Sequence, residues 1–421
     1  MDAKDAVRQR ALSVLLNNRR WGYSNWAGMR YEFSCPSPLR YPYQWFWDSC
    51  FHAITLSHFD TQLAKNEIRS LLSIQRGDGF LPHIIFWDTG RGPRKIYRYT
   101  QSAGWSPWPR TTGMIQPPVL GIALEALWKK DNDYAFFKEI LPKVERYSAW
   151  LETNRDPDGD HLISIISPYE SGLDYCPHFD ETVGFYARDT NRRKLARLEF
   201  SYRMMDLKNK LHGYNSKKIL ALGYYDVEDV MMNVVYGASL KSIGRLFEIQ
   251  GKQEKAISFY EKSRAVTKSL ISKCLHDDGL FYSVWGKKEK KLFVKTFVSL
   301  MPIMLEDMPQ SIIETLVKRH LTNATEFWPP YPIPGVALDE PTFDPAENRF
   351  IWRGPTWMNI NWFIVRGLRH HGYNEIADEI VEKSKTLIER SGFREYFNPL
   401  TGEGYGARDF GWSTLIVDIM E

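Results

Sequence analysis

The sequence predicts an all-α fold, a toroid of six helical hairpins with long loops between them. Three observations predict it. Apolar residues recur at helical spacing in most long segments, two of these segments resemble each other, and loops rich in Asp and Gly follow pairs of helices. The helical segments include residues 116–130, 133–153, 226–249, 252–275, 355–371 and 374–391.

An internal repeat supports the paired helices. GKQEKAISFYEKS from Gly251 and GYNEIADEIVEKS from Gly372 share Gly, Glu, Ala, Glu, Lys and Ser at the same offsets. Turn-rich loops complete a helix, helix, loop unit: RGDGFLPH from Arg76, RDPDGDHLIS from Arg155, HDDGLFYS from His276 and NPLTGEGYG from Asn398. We expect the weaker stretches 1–40 and 298–325 to supply the remaining helices of the ring.

The alternative architecture is an open solenoid, because GKQEKAISFYEK alone resembles half of a tetratricopeptide repeat. The period is irregular, however, and the connecting loops are long and rich in Trp, Tyr, Pro, Asp and Glu. Loops of that kind usually carry a functional site. The toroid is therefore the favoured prediction.

Composition narrows the classes of function. The 421 residues are 43% hydrophobic and 25% charged, with no long apolar run, so we expect one domain over residues 1–421 and no membrane span. The net charge of +4 is spread along the chain and predicts no nucleic-acid partner; the basic cluster at Arg192, Arg193, Lys194 and Arg197 is typical of a solvated helix face. The charged N-terminus and four scattered cysteines predict a cytoplasmic protein with reduced thiols. A homo-oligomer is compatible with these features.

Aromatic content is the unusual quantity. The chain has 15 Trp, 22 Tyr and 23 Phe, and many of them lie in segments rich in Gly and Pro rather than in periodic helices. Aromatic faces pack well against the apolar C–H faces of sugars. The composition therefore favours a small-molecule sugar as the partner.

Two acidic segments are candidates for chemistry, because hydrolysis of a glycosidic bond needs one carboxylic acid and one carboxylate. SPYESGLDY, residues 167–175, places Glu170 and Asp174 in an irregular loop among aromatic residues; the alternative is that either residue caps a helix. FREYFNP, residues 393–399, places Glu395 between aromatic residues; the alternative is an ordinary ion pair with Arg394.

Aromatic and polar residues cluster in four further segments. The segment YPYQWFWDSC, residues 41–50, sets Trp45 and Trp47 beside Asp48, for which the alternative role is the N-cap of a helix over residues 49–58. The other three contain LPH with His83, QPP with Gln116, and IWRGPTW with Trp352 and Trp357. None of these segments is diagnostic alone.

Taken in order, FWDS, GDGFLPH, QPP, ESGLD, WRGPTW, EYFNP, GEGYG and FGWS resemble glycoside hydrolase family 63, with its relatives among trehalases and processing α-glucosidases. The resemblance covers most of the chain and implies an (α/α)6 barrel that inverts the anomeric carbon. It implies that Asp174 is the general acid and Glu395 the general base. The implied sugar-binding residues are Tyr41, Trp45, Trp47, Asp48, His83, Gln116, Tyr169, Glu170, Gly172, Trp352 and Trp357.

The length of the chain is similar to that of the short branch of the family, which includes mannosylglycerate and glucosylglycerate hydrolases. A glycerate carboxylate requires cations or hydroxyl donors, and the insertion at about 176–225 is expected to lie over the active site and to supply them. Its candidates are Tyr202, Arg203, Lys208 and Tyr214. Asp409 departs from the Gln that relatives commonly carry before Phe, and it would add a third carboxylate near the site.

Other functions remain open at this stage. The chain could be a trehalase-type or α-glucosidase-type exo-hydrolase of a small gluco-oligosaccharide. A sugar epimerase would require paired histidines, and a helical scaffold would leave the ESGLD and REYFNP loops apart. No metal and no cofactor are expected, because HExxH, GxGxxG and GxxxxGK[ST] are all absent from the sequence.

Overall fold

The structure, a computed structural model, describes residues 3–87, 110–185, 192–347 and 350–421. Over these residues the chain is mainly helical. The α-helices are α1 Ala3–Asn18, α2 Phe46–Ser57, α3 Thr61–Ser73, α4 Leu120–Lys130, α5 Tyr134–Arg155, α6 Arg192–Leu211, α7 Ser216–Leu222, α8 Val230–Ile249, α9 Gln253–Cys274, α10 Gln310–Thr315, α11 Met358–His370, α12 Asn374–Ser391 and α13 Ile416–Ile419. Short 3₁₀ helices include Pro168–Ser171, Phe297–Met304 and Gly411–Leu415, and a π-helical turn covers Leu316–Leu321.

Short antiparallel strands occupy the loops. They are β1 Arg19–Ser24, β2 Met29–Ser34, β3 Gln44–Trp45, β4 Ile84–Ile85, β5 Val227–Glu228, β6 Val284–Trp285, β7 Lys290–Lys291, β8 Arg394–Phe397 and β9 Gly404–Arg408. The pairs are β1 with β2, β3 with β4, β5 with β6, β6 with β7, and β8 with β9. The β8–β9 register shifts between Arg394 and Tyr396, so Glu395 lies at an irregularity of the ladder.

Two classes of helix follow from their sequences. Helix α2 (FWDSCFHAITLS) is buried along its whole length, as expected of a helix with apolar residues on all faces. Helix α12 (NEIADEIVEKSKTLIERS) buries only one stripe, which includes Ala377, Ile380, Ser384 and Leu387, at the spacing of three and four residues that one helix face requires. Helices α4, α8 and α11 are mostly buried, like α2. Helices α3, α9 and α12 pack on the outside of these buried helices.

The buried elements contact one another in an order that returns to its start. Helix α2 packs on α4, α4 on α8, and α8 on Phe297–Met304. That segment packs on α11, α11 on Gly411–Leu415, and Gly411–Leu415 on α2. The outer helices α3, α9 and α12 pack on α2, α8 and α11 respectively. The open solenoid is therefore wrong, because its first and last buried helices would not share a neighbour.

The helical periodicity located most of the helices correctly. Residues 133–153, 252–275 and 374–391 correspond closely to α5, α9 and α12. The predicted helices that open on Pro-containing segments begin later. Helix α4 begins at Leu120, because Pro117 and Pro118 disfavour helical conformation in the residues before them. Helix α11 begins at Met358, because Thr356 is extended and forms β-bridges with Pro334 and Phe397. The stretch 298–325 contains a 3₁₀ helix interrupted by Pro302, one short α-helix and a π-helical turn, and 1–40 contains a hairpin as well as α1.

The loops that precede the buried helices lie at one end of the fold. Trp45 is the N-cap of α2, Gln116 precedes α4 and Trp357 is the N-cap of α11. A helix N-terminus presents unpaired N–H groups, and the Gln116 side chain accepts one of them, the Trp47 amide, at 3.1 Å. Among the described residues, no helix is long and apolar enough to cross a membrane.

Candidate active site

A cavity of about 190 Å³ lies at the end where the buried helices begin. It brings together twelve of the residues predicted from sequence: Tyr41, Trp45, Trp47, Asp48, His83, Gln116, Tyr169, Gly172, Asp174, Trp352, Trp357 and Glu395. The ESGLD and REYFNP loops thus meet in space. A scaffold that separates them, which the sequence had left open, is excluded.

The ESGLD loop is shaped by three local features. Ser167 caps the 3₁₀ turn Pro168–Ser171, and its hydroxyl accepts the Tyr169 amide at 3.4 Å. Gly172 has a φ of 74°, and a Cβ there would lie 2.6 Å from the Trp47 ring, so only glycine allows this turn against the cavity wall. Asp174 follows the turn and lines the cavity.

Asp174 is half-buried in the cavity wall. Its carboxyl group has no hydrogen-bond donor within the described residues. Burial, and then the negative charge of Glu395, raise the pKa of Asp174 to about 7. A carboxyl group with these properties holds its proton near neutral pH and can donate it.

Glu395 has the opposite surroundings. Its Oε1 accepts the Tyr41 hydroxyl at 2.9 Å, and its Oε2 accepts the Arg40 guanidinium at 3.0 Å and the Ala407 amide at 2.8 Å. Burial raises the pKa of Glu395, and Arg40, the Ala407 amide and Tyr41 oppose that rise. The alternative considered for Glu395, an ion pair with Arg394, is not formed: Arg394 donates to the carbonyls of Tyr405 and Gly406, and the cation that pairs with Glu395 is Arg40.

Four polar atoms on the cavity wall are buried without a hydrogen-bond partner in the described part of the chain. They are Trp45 Nε1, Asp48 Oδ1, His83 Nδ1 and Trp357 Nε1. Buried polar groups normally have partners, so this set is suited to bind the hydroxyl groups of a ligand. Asp48 is not the N-cap of α2, which is Trp45; burial raises the pKa of Asp48 and lowers the pKa of His83 to about 3.

Aromatic rings form the rest of the wall. Trp352 and Trp357 stack with centroids 3.8 Å apart and planes at 10°, and Trp412 meets Trp357 edge to face at 5.5 Å. Trp412 also meets Trp47 at 5.2 Å with the planes at 90°. These rings hold each other rigidly, which gives the cavity the flat apolar surfaces that sugar rings require.

Residues 41–413 match the family model described as mannosylglycerate hydrolase MGH1-like glycoside hydrolase domain. The chain belongs to this MGH1-like glycoside hydrolase family. Mannosylglycerate hydrolase of Thermus thermophilus is 29% identical over 416 residues, which cover 92% of this chain and 96% of that protein. Glucosylglycerate hydrolase of Mycolicibacterium hassiacum is 23% identical over 90% of this chain and 92% of its own length.

A solved structure agrees with the family assignment. The GH63 mannosylglycerate hydrolase from Thermus thermophilus, in complex with Tris and D-glycerate, superposes with a TM-score of 0.83 at 26% identity. The alignment covers 98% of this chain and 99% of that one. The resemblance to glycoside hydrolase family 63 is therefore confirmed.

Four predicted binding residues of this MGH1-like hydrolase lie outside the cavity lining. Glu170 is buried in an ion pair with Arg155, and Tyr214 packs under Gly113 and beside Met114 and Ile166. Arg203 is 70% exposed on α6, at 3.9 Å from Glu199, and Asp409 is exposed with a φ of 49°. A polar residue looks the same in the sequence whether it binds a ligand, supports the fold or faces solvent. The sequence alone therefore could not exclude these four residues from the binding site.

The insertion at 176–225 contains two further candidate residues, Tyr202 and Lys208, and neither of them lines the cavity. Its residues 186–191 lie outside the described residues, as does the side chain of Arg192 in the basic cluster. Tyr202 packs behind the cavity against Tyr169 and Tyr175, with centroids 5.1 and 5.0 Å apart. Lys208 lies over the Tyr224 ring at 5.4 Å rather than at the cavity wall.

The sequence motifs did not identify five residues that line the cavity or the cation that pairs with Glu395. The lining residues are Pro36, Tyr175, Ile351, Phe410 and Trp412, and the cation is Arg40. Tyr175, Ile351, Phe410 and Trp412 each lie within or next to a quoted motif, so the motif edges carried a usable signal. Arg40 precedes the Tyr41 segment directly, but its partner Glu395 is 355 positions away.

Within the described residues, one cluster of three aspartates has the spacing of a metal site. Oxygens of Asp156, Asp158 and Asp160 lie within 4.8 Å of one another, outside the cavity lining. The Lys273 ammonium forms ion pairs with Asp158 and Asp160, and the Asp156 carboxylate accepts the Gly159 and His161 amides. The loop is therefore held by its own hydrogen bonds and by a lysine.

Proposed function

We propose that this chain is an inverting α-glycosidase with Asp174 as general acid and Glu395 as general base. The observation that supports it is the unequal surroundings of two carboxyl groups on one aromatic cavity. Burial raises the pKa of both groups, but Asp174 has no hydrogen-bond donor among the described residues, whereas Glu395 accepts three hydrogen bonds that favour its charged form. Inversion requires the two groups to stand about 6.5–9.5 Å apart, with a water beside Glu395.

The proposed substrate is mannosylglycerate or glucosylglycerate, which would be cleaved to the sugar and glycerate. Support comes from the names of the relatives and from the D-glycerate bound in the Thermus thermophilus structure. The proposed sugar pocket consists of Trp45, Trp47, Asp48, His83 and Gln116 with the Trp352–Trp357 stack. Its unpaired donors and acceptors match a ring that carries several hydroxyl groups.

A second candidate substrate is a neutral α-glucoside, like the substrates of trehalases and α-glucosidases. One observation favours it: within the described ranges, no Lys or Arg lines the cavity. Three carboxyl groups, Asp48, Asp174 and Glu395, do line the cavity. An anionic aglycone close to them would be disfavoured unless cations from elsewhere approached it.

We further propose a single catalytic domain over residues 1–421, built as an (α/α)6 barrel, with the insertion at about 176–225 over the site. The cyclic packing order of the buried elements supports the barrel. Two contacts support the position of the insertion: Asp180 pairs with buried Arg353 at 2.5 Å, next to Trp352 of the cavity wall, and Tyr202 packs on Tyr169 and Tyr175.

Product analysis tests the reaction and the substrate together. The protein is incubated with mannosylglycerate, glucosylglycerate, trehalose and isomaltose, and the anomer released first is followed by NMR, with the Glu395→Gln protein as the blank. Release of the β-anomer of the sugar from mannosylglycerate or glucosylglycerate supports inversion, and release of the α-anomer from either would refute it. Hydrolysis of trehalose or isomaltose alone would establish the second candidate.

A further inference from the structure

The two carboxylate oxygens of Glu395 differ in how many donors they meet. Among the described residues, Oε2 accepts Arg40 Nη1 at 3.0 Å and the Ala407 amide at 2.8 Å, and Oε1 accepts only the Tyr41 hydroxyl, at 2.9 Å. Each carboxylate oxygen has about two lone-pair sites. Both sites of Oε2 are therefore occupied, and one site of Oε1 remains for a further donor.

The two oxygens of Glu395 also differ in what surrounds them: backbone atoms pack against Oε2, and the partner of Oε1 lines the cavity. A Cβ on Gly406 would lie 2.5 Å from Oε2, so the backbone of β9 closes that side of Glu395. Tyr41, the partner of Oε1, lines the cavity and meets Trp45 and Phe410 edge to face, with both centroid distances 5.8 Å. The site that remains on Oε1 is thus on the side of the cavity.

We propose that Arg40 is a positioning residue for the base: together with the Ala407 amide it occupies Oε2, so that Glu395 accepts the proton of the attacking water at Oε1, beside the Tyr41 hydroxyl. This inference rests on the proposed function. In the step, the water oxygen bonds to the anomeric carbon and loses one proton to Oε1. The bond from that carbon to the departing oxygen breaks, and Asp174 gives its proton to the departing oxygen.

Arg40 also supplies charge to the base. Burial raises the pKa of Glu395, and Arg40 is the strongest of the groups that oppose this rise; Ala407, Tyr41 and Arg394 act in the same direction. The charge of Glu395 also raises the pKa of Asp48, Asp174 and Tyr396. The Arg40 side chain is 50% exposed, so salt should weaken the ion pair.

The test compares Arg40→Gln and Arg40→Lys with the wild-type protein. Without the cation Glu395 should be protonated at higher pH, so the acidic limb of kcat/KM should move up by about 1 pH unit, which lowers the rate below that limb roughly tenfold. KM should change little, and Arg40→Lys should lie between Arg40→Gln and wild type. The control is Arg69→Gln, because Arg69 is partly exposed like Arg40 and forms an ion pair with Glu139 at 3.0 Å, and neither Arg69 nor Glu139 lines the cavity.

An acidic limb in Arg40→Gln that coincides with wild type would overturn the inference, provided the variant unfolds at the wild-type denaturant midpoint. If the wild-type protein hydrolyses no glycoside, the proposed function fails instead. Carboxyl ¹³C NMR then tests Arg40 separately, with the Glu395 signal assigned by its loss in Glu395→Gln: an upward shift of its titration in Arg40→Gln supports the inference, and an unchanged titration overturns it. A crystal structure of Asp174→Asn with substrate should place the water on Oε1; a water bound only to Oε2 would also overturn it.

Discussion

Arg155 binds both carboxylate oxygens of Glu170, at 2.5 and 2.6 Å, and neither side chain is exposed. Glu170 also accepts the amides of Ile115 and Ile166, at 3.0 and 2.8 Å. The last residue of α5, the segment before α4 and the ESGLD loop are thereby joined at one buried carboxylate. Asp174 takes its position from this anchored loop.

Replacement of Glu170 by Gln should destabilise the protein by about 3–5 kcal/mol, because it leaves the buried Arg155 charge uncompensated. Urea unfolding measures the change. The control is Glu314→Gln, which removes an exposed ion pair with Lys318, four residues further along the chain, and should change the free energy of unfolding little. Equal losses in the two variants would show that Glu170 is not an anchor.

Replacement of Asp174 by Asn should lower kcat for natural glycosides by about 10²–10⁴-fold, because proton donation to the departing oxygen is lost. A dinitrophenyl glycoside of the same sugar needs no such proton, so the variant should regain most of its rate on it. Glu395→Gln should stay slow on both substrates, since water activation is needed in each case. Loss on both substrates in Asp174→Asn would contradict its role as the acid.

The alkaline limb of kcat/KM should lie near pH 7. The pKa of Asp174 is raised to about 7 by burial and by the charge of Glu395, and the acid acts only in its protonated form. Activity is therefore present below that pH and is lost as the pH rises through it. A pH–rate profile measures the limb, and ¹³C NMR titration of Asp174 in Glu395→Gln should give a lower pKa than in the wild-type protein. An unchanged pKa there would mean that the two carboxyl groups do not interact.

Replacement of Gly406 by Ala should reduce activity severely. Gly406 has a φ of 67°, and the added Cβ would lie 2.5 Å from Glu395 Oε2, so the base must move. Gly28 has the same φ of 67° with no atom within 4 Å, so Gly28→Ala carries the backbone strain alone. Steady-state kinetics of the two variants separate strain from displacement of the base. Similar kcat values in both would contradict the close contact.

The sequence could predict those features that depend on neighbouring residues. Apolar spacing located α5, α9 and α12, because each of these helices buries one stripe of its own surface. The motifs identified twelve of the cavity residues, including the carboxyl groups of Asp174 and Glu395, because a sugar site requires aromatic and acidic residues in irregular loops. Those properties depend only on residues that are close together in the sequence.

Tertiary structure decided which partner each charged residue found. Glu170 pairs with Arg155 and Glu395 with Arg40, whereas Arg203 and Asp409 face outward. An isolated carboxylate or guanidinium has the same chemistry in each of these settings. Its role depends on burial and on residues up to 355 positions away, which come together only when the buried helices pack into one closed order.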